Sequence, residues 1–478
     1  MLEWRTSVDK NNYPKVSLES MKTDINSTLL VHLATGAGAA SLLRQDRPEL
    51  ISVTQSFFEA RTDIRRLDAA QEVAQLILSR NDLHDLIEIR DIVAKQELRR
   101  QIKYGNQQDH TAHTVYLYFL GLWLYDHLPE LPAAIGKECH AQEPVERDRY
   151  FLLQWAYASL LHDVGYAFHN LDAETQKDRQ KIDSVFSLDW IKGQCSGISA
   201  AAEAALAAAH GAWMSKFGVL MLPGTGSCGP GSYTEVLQRL AQAPWLADLL
   251  PEFQGKDIFD VLDSTSSIRN YAFEVAREGY GGDGHCVDHA VASGLFLFQY
   301  TSFWYWIVNT VKADASIEIY NEITSGLNYE PENLVTDFVA ACKAVAFHNI
   351  QPKTRASKLI IPTLTLDNEP ITFLGVLCDE LQRWDRSPAG WARLDEYRLS
   401  SKSALEAGDL QIMVQGTRES PIAFFVVRER NNNQDRNNEL SKLAKAFRDD
   451  LQKRLPEYSN VLLVAVRSFV KSDSTEEV

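Results

Sequence analysis

The stretch Leu160-Leu161-His162-Asp163-Val164-Gly165-Tyr166 sets an imidazole and a carboxylate side by side, directly behind apolar residues that read as the inner face of a helix. Buried polar groups need partners, and a buried charge needs a counter-charge or a metal ion. Other segments repeat the arrangement. In QQDHTAHTVYLYFLG, Asp109 and His113 lie four apart and share one helix face, with His110 one residue off it. GGDGHCVDHAVASGLFLF carries His285 and His289, again four apart. AVAFHNI ends an apolar helix on His348 and Asn349, and FLGVLCDELQRWDR places Asp379 behind Leu377 and Cys378. Several His and Asp side chains converging from different elements are what an oxygen- and nitrogen-rich site for a divalent cation needs. Such a set suits Mn²⁺ or Mg²⁺, or Fe²⁺, as one ion or two, better than thiolate-bound Zn²⁺. A divalent ion there activates water and clamps phosphoryl oxygens, and a pair of ions does both jobs symmetrically. Asp163 is suited to bridging such a pair. His289 or His348 is then the candidate general acid or phosphate donor, because imidazole titrates near working pH.

The elements that must position these residues follow from periodicity. Apolar residues recur at three- and four-residue intervals from about residue 63 to 104, and again over 113–128, 149–161, 198–217, 287–310, 333–347 and 371–384, so the chain to about residue 395 reads as α-helical. The Gly- and Ser-rich run 219–232 lacks the Lys-Ser/Thr ending of a phosphate-cradling loop and reads as a flexible loop or lid. After residue 400 the pattern changes. LQIMVQGT, PIAFFVVRE and NVLLVAVRSF have the composition of strands, and the amphipathic ELSKLAKAFRDDLQKRL lies before the last of them. The expected architecture is mainly α: an N-terminal helical region over 1–100, an all-helical core over 101–395 and a small ββαβ module over 400–478. The module carries no clustered His, Cys or carboxylates, so a structural, dimerising or ligand-sensing role is expected of it. KSDSTEEV reads as a frayed tail.

A formal net charge of −16 over 478 residues argues against an extended nucleic-acid surface, which depends on Lys and Arg neutralising phosphates, while leaving room for a nucleotide pocket. With no apolar run of roughly 18 residues and no signal pattern at the start, a cytoplasmic protein without membrane contact is expected. Six single Cys make neither a disulfide framework nor a paired zinc motif.

The order His, His-Asp, Asp on helices resembles the HD-domain superfamily of metal-dependent phosphohydrolases, over segments running from about Gln108 to Arg386. The resemblance implies that the helical core is an HD-type fold and that His113, His162, Asp163 and Asp379 are the metal ligands. It places His289 and His348 where members with extra histidines bind a second metal or contact substrate phosphate, and Asp109 where a carboxylate completes or orients a metal site. The implied substrate is a nucleotide phosphate ester, a deoxynucleoside triphosphate first and a cyclic nucleotide or dinucleotide second. Gly-Tyr-Ala follows the doublet where the HD-GYP branch, which cleaves cyclic di-GMP, has Gly-Tyr-Pro, and Asn349 follows His348 where that branch has a second His. The arginine-rich segment of the deoxynucleoside triphosphate triphosphohydrolases is partly echoed by LRRQIKYG. Two non-hydrolytic or non-phosphatase readings stay open: a nucleotide sensor and a di-iron oxygenase.

Other polar residues carry two readings each. Arg99, Arg100 and Lys103 meet phosphate oxygens or form a solvated helix face. Asn349 and Arg386 are substrate contacts, or Asp385-Arg386 is an internal ion pair. His210 caps a helix C-terminus after an Ala-rich run or is a ligand. His169 and Asn170 line a pocket mouth or turn the chain, and Trp304, Tyr305 and Trp306 are core or a base-stacking platform. A homo-oligomer or a protein partner would use the C-terminal module.

Overall fold

A computed structural model of the chain describes residues 24–80, 83, 85–104, 111–141, 143–168, 182–195, 197–221, 233–278, 286–350, 364–385, 407–417, 420–429 and 434–468. The fold is mainly helical, with one three-stranded sheet near the C-terminus. No helix among the described residues is long and apolar enough to cross a membrane.

The helices that matter for the site are Thr111–His127, Pro144–Leu160, His289–Asp314, Ala340–Phe347 and Pro370–Leu381. Four of them are apolar on nearly every face, the signature of helices buried within a larger helical assembly, while Pro144–Leu160 begins with a charged, exposed turn and is buried from Phe151 on apart from the half-buried Leu153. Asp288 caps the 26-residue helix that begins at His289, accepting from the Val291 amide at 3.0 Å. That helix approaches Ala340–Phe347 so closely that a Cβ on Gly294 would stand 2.6 Å from the Cys342 carbonyl oxygen and from the Ala346 Cβ. Only glycine permits this crossing.

Several boundaries differ from the periodic reading. The stretch 63–104 is two helices, Asp63–Arg80 and Asp85–Tyr104, parted near Asn81-Asp82, residues that favour local backbone bonding over helix interiors. The helix starting at Ala200 runs through Val219, Leu220 and Met221, the first part of the expected loop, because apolar residues continue until Pro223; 222–232 lie outside the described residues. His210 therefore sits inside a helix rather than at its C-terminus, and its Nε2 donates to the Phe186 carbonyl at 3.0 Å. Pro370–Leu381 stops short of residue 384, since Gln382 leaves helical dihedrals and its side chain turns inward.

In the C-terminal module, β1 (Leu410–Thr417) and β2 (Ser420–Glu429) form an antiparallel hairpin, with Leu410 opposite Val427. β3 (Leu462–Ser468) joins β2 in parallel, reached through the helix Gln434–Arg454, as a parallel crossover requires. Alternation splits the sheet: Phe425 and Val427 join the large core shared with the helical body, while Met413, Phe424 and Val426 form a small separate cluster. Trp384, just past the Asp379 helix, lies 6.2 Å from the Phe425 ring.

A charged trio ties two site-bearing helices together. Lys343 of Ala340–Phe347 pairs at 2.6 Å with Glu369, which precedes Pro370–Leu381, and Glu138 stands close by with a buried oxygen that makes no hydrogen bond. Burial, then the Glu369 charge, pushes the Glu138 carboxyl up to about 7, against the pull of Lys343. The folded state thus holds this proton more tightly than the unfolded chain, whose carboxyl has its ordinary value of 4.5. The resulting stability is complete below that value and is lost as the pH rises through about 7. We expect Glu138→Gln to melt higher than the parent at about pH 8 and not at about pH 5. Parallel thermal melts check this, and a shift of equal size at both pH values would contradict it.

Candidate metal centre

Five side chains from four parts of the fold meet in one buried cluster: His113, His162, Asp163, His289 and His348, with exposures between 2% and 9%. Asp379 adjoins them at its rim. The ligating atoms form two groups, His113–His162–Asp163 and Asp163–His289–His348, within each of which all atoms lie within 4.8 Å of one another. Asp163 belongs to both. Its Oδ2 faces His162 Nε2 at 3.3 Å, and its Oδ1 faces His289 Nε2 at 3.4 Å and His348 Nε2 at 3.8 Å.

The orientation of each imidazole has a local cause. His162 Nδ1 donates to the Ser159 carbonyl at 2.7 Å, and His348 Nδ1 to the Val345 carbonyl at 2.7 Å. A carbonyl only accepts, so each of these rings carries a proton on Nδ1 and turns Nε2 toward Asp163. His113 Nδ1 meets Gln382 Oε1 at 2.5 Å; Gln382 is oriented by donating its amide to the Trp384 carbonyl at 2.8 Å, which leaves its oxygen for the ring. His113 Nε2 then faces Asp379 Oδ1 at 2.8 Å. His289 stacks on Tyr166 with ring centroids 4.1 Å apart. A histidine whose distal nitrogen is fixed by a carbonyl is the usual form of a metal ligand. The donor set fits a divalent ion on a further count: His162 Nε2 is buried and makes no hydrogen bond, having only the Asp163 oxygen near it.

The electrostatics agree with the geometry. Burial works against charge on His162, but Asp163 and then Asp379 outweigh it and hold its pKa above the ordinary value. Burial, reinforced by the charge of His162, pushes His348 down to about 4. Asp379 is penalised by burial, yet the hydrogen bond and charge of His113, with His348 and His162 behind, hold it well below the usual carboxylate range.

The backbone carrying these residues is fastened from outside. Buried Arg90 donates to the Thr111 carbonyl and Thr114 hydroxyl at the start of the His113 helix and to the Leu160 carbonyl at the end of the helix before His162, each at 2.6 Å. One guanidinium therefore sets the spacing of the first two histidines. The turn Val164–Phe168 lies against the His289 helix: the Gly165 amide donates to Ser293 Oγ at 2.6 Å, and a Cβ at Gly165 would stand 2.0 Å from the His289 carbonyl oxygen. Asp288 accepts from Tyr271 at 3.2 Å and from Asn349 at 2.9 Å, linking the start of the His289 helix to the residue just after His348. From the C-terminal module, Arg454 reaches the His348 carbonyl and the Glu380 carboxylate beside Asp379.

Of the residues the sequence singled out, His113, His162, Asp163, Asp379, His289 and His348 are together. Asn349 is adjacent, with its amide on Asp288. Asp385 is buried and accepts from Asn26, Tyr116 and the Ala407 amide, tying the N-terminal helices to the module. Tyr305 and Trp306 are buried and Trp304 is half-buried, away from the cluster. Arg99, Arg100 and Lys103 fall on the helix Asp85–Tyr104, which packs against the turn after the doublet; their side chains lie outside the described residues, as do Asp109, His110, His169, Asn170, His285, Arg386 and the tail. Sequence reasoning missed Gln382, Arg90 and Arg454. Gln382 follows Asp379 by one helical turn, and Arg90 interrupts the apolar stripe of Leu86, Ile89 and Val93, so both left a signal. Arg454 left none.

What these residues define is a buried His/Asp centre able to hold a metal ion. Comparison with protein families, curated proteins and solved structures gives no match.

Two substitutions test the supports. Gln382→Leu should leave the fold intact and weaken metal binding by about 10–100-fold, read by titrating stripped protein with Co²⁺. Gly165→Ala forces the turn off the His289 helix and should cost about 1–3 kcal/mol in denaturant unfolding. Unchanged stability would show that the two segments are not in this contact.

Proposed function

We propose that the chain is a metal-dependent phosphohydrolase of the HD type, acting on a phosphate ester or anhydride of a nucleotide, with a deoxynucleoside triphosphate as the first candidate substrate. The observation that carries the reading is the pair of ligand groups sharing Asp163. His113, His162, Asp163 and Asp379 would hold the first divalent ion, Mn²⁺ or Mg²⁺ or else Fe²⁺, and Asp163 with His348 offers a second position. The bound ion would supply Lewis-acid activation of water and neutralisation of phosphoryl charge.

The remaining work falls to the chain. His348, neutral down to about 4, offers a lone pair at Nε2 rather than a proton. His289, held flat against Tyr166, is the imidazole left to donate a proton to the leaving oxygen. Arg99, Arg100 and Lys103 would supply the phosphate-binding charge from the helix that packs on the doublet turn. The shared carboxylate also favours a second reading, in which two irons activate oxygen.

A matrix of stripped protein reloaded with Mn²⁺, Mg²⁺, Fe²⁺ or Co²⁺, against nucleoside triphosphates, deoxynucleoside triphosphates and cyclic mono- and dinucleotides, tests this with chromatography of the products. Turnover is expected with at least one pair and should fall by more than about 100-fold in Asp163→Ala. Release of a linear dinucleotide or a monophosphate from a cyclic substrate would move the assignment to a phosphodiesterase. Metal binding with no turnover of any substrate would overturn the hydrolase, and a mixed-valent di-iron spectrum would replace it by the oxygenase.

A further inference from the structure

A cavity of about 720 Å³ away from the His/Asp cluster is lined by Arg149 and Leu153 of the helix before the doublet and by Tyr300, Thr301, Trp304 and Tyr305 of the helix that begins at His289. Trp304 and Tyr305 belong to the helix that begins at His289, and at about 1.5 Å per residue they stand roughly 22 Å along it from that histidine. The volume is that of a small-molecule site.

The lining is specific. Trp304, Tyr305, Tyr329 and Phe338 wall the cavity with aromatic rings, Tyr305 lying 5.1 Å from Tyr329 and 6.2 Å from Phe338. Asp337 shares that wall and is half-buried, and no cationic side chain among the described residues forms an ion pair with it. Its nearest polar contact is the Thr336 hydroxyl, 3.3 Å from Oδ1. Asp337 is presented by a single π-helical turn, Val335–Val339, a rare deformation that is frequent at functional sites. The widened turn is held open from behind: Gln154 donates to the carbonyls of Thr336 and Asp337, and Tyr150 to that of Thr336. Of the two arginines at the cavity, Arg47 is engaged by the Leu76 and Asp46 carbonyls and Arg149 is exposed. Glu322 is already bound by the Ser199 amide and hydroxyl.

We propose that this cavity binds an organic cation: an ammonium group carried on a compact, ring-sized body, its charge against the Asp337 carboxylate and the faces of Trp304, Tyr305 and Tyr329. A half-buried carboxylate with no cation paired to it gains from one, and aromatic faces attract the same cation. Burial pushes the Asp337 carboxyl up to about 6, against the pull of the Thr336 hydroxyl. The site is independent of the hydrolase assignment.

Binding of benzyltrimethylammonium to the full chain, followed by saturation-transfer NMR and calorimetry with benzenesulfonate as the control of opposite charge, tests the proposal. The ammonium probe should bind and the sulfonate should not. Asp337→Asn keeps the shape and the oxygen that faces Thr336, and it should weaken the probe by at least about tenfold. Trp304→Leu, a second variant on another helix, should weaken it as well, with both proteins checked by thermal melting. No binding of the ammonium probe to the folded parent at millimolar concentration would overturn the proposal. So would binding left unchanged by both variants, or binding of benzenesulfonate as tight as that of the cation.

Discussion

Burying Asp163 is the constraint from which the rest of the centre follows. A carboxylate excluded from water must be surrounded by donors, charges or a metal, and here both of its oxygens face imidazoles: His162 on one side, His289 and His348 on the other. Those rings cannot all serve unless each is turned the right way. The protein fixes the rings of His162 and His348 with carbonyl acceptors from the preceding turn of their own chain. For His113, on a different helix, the acceptor has to be imported, and Gln382 provides it. The cluster is therefore specified by backbone geometry as much as by its His and Asp side chains.

That geometry depends on a few points where helices touch without side chains between them. Gly165 lets the doublet turn lie against the first turn of the His289 helix, and Gly294 lets the same helix cross the His348 helix. Arg90 works in the opposite manner, spanning a gap with one guanidinium that satisfies the ends of two helices at once.

The helices were legible in the sequence because their apolar spacing is strong, and the strands because β-branched and aromatic residues cluster after residue 400. The cluster was legible because His162-Asp163, His289 and His348 each interrupt or end an apolar stretch, which costs free energy unless something compensates. Boundaries were less so: Gln382 ends its helix for the sake of a bond to a residue 269 positions away, and no local pattern encodes that. His210 was read as a cap because it ends an Ala-rich run, although the apolar spacing of 198–217 already carried the helix past it. The link from the C-terminal module was invisible for a similar reason, since Arg454 closes an amphipathic surface helix and looks like any other terminal cation favoured by the helix dipole.

That link bears on the order in which the protein becomes complete as it is made. Arg454 and the His348 carbonyl it binds are separated by 106 residues. At roughly 5–20 residues per second, the ribosome delivers the arginine on the order of ten seconds after the histidine. In the later part of that interval, once Asp379, Glu380 and Gln382 have followed His348, all the residues of the His/Asp cluster exist, while the backbone of His348 and the Glu380 beside Asp379 lack their outer brace. The nascent chain thus passes through a stage in which the centre is chemically whole and mechanically unfinished, and translation itself separates the arrival of the ligands from the arrival of the part that holds them.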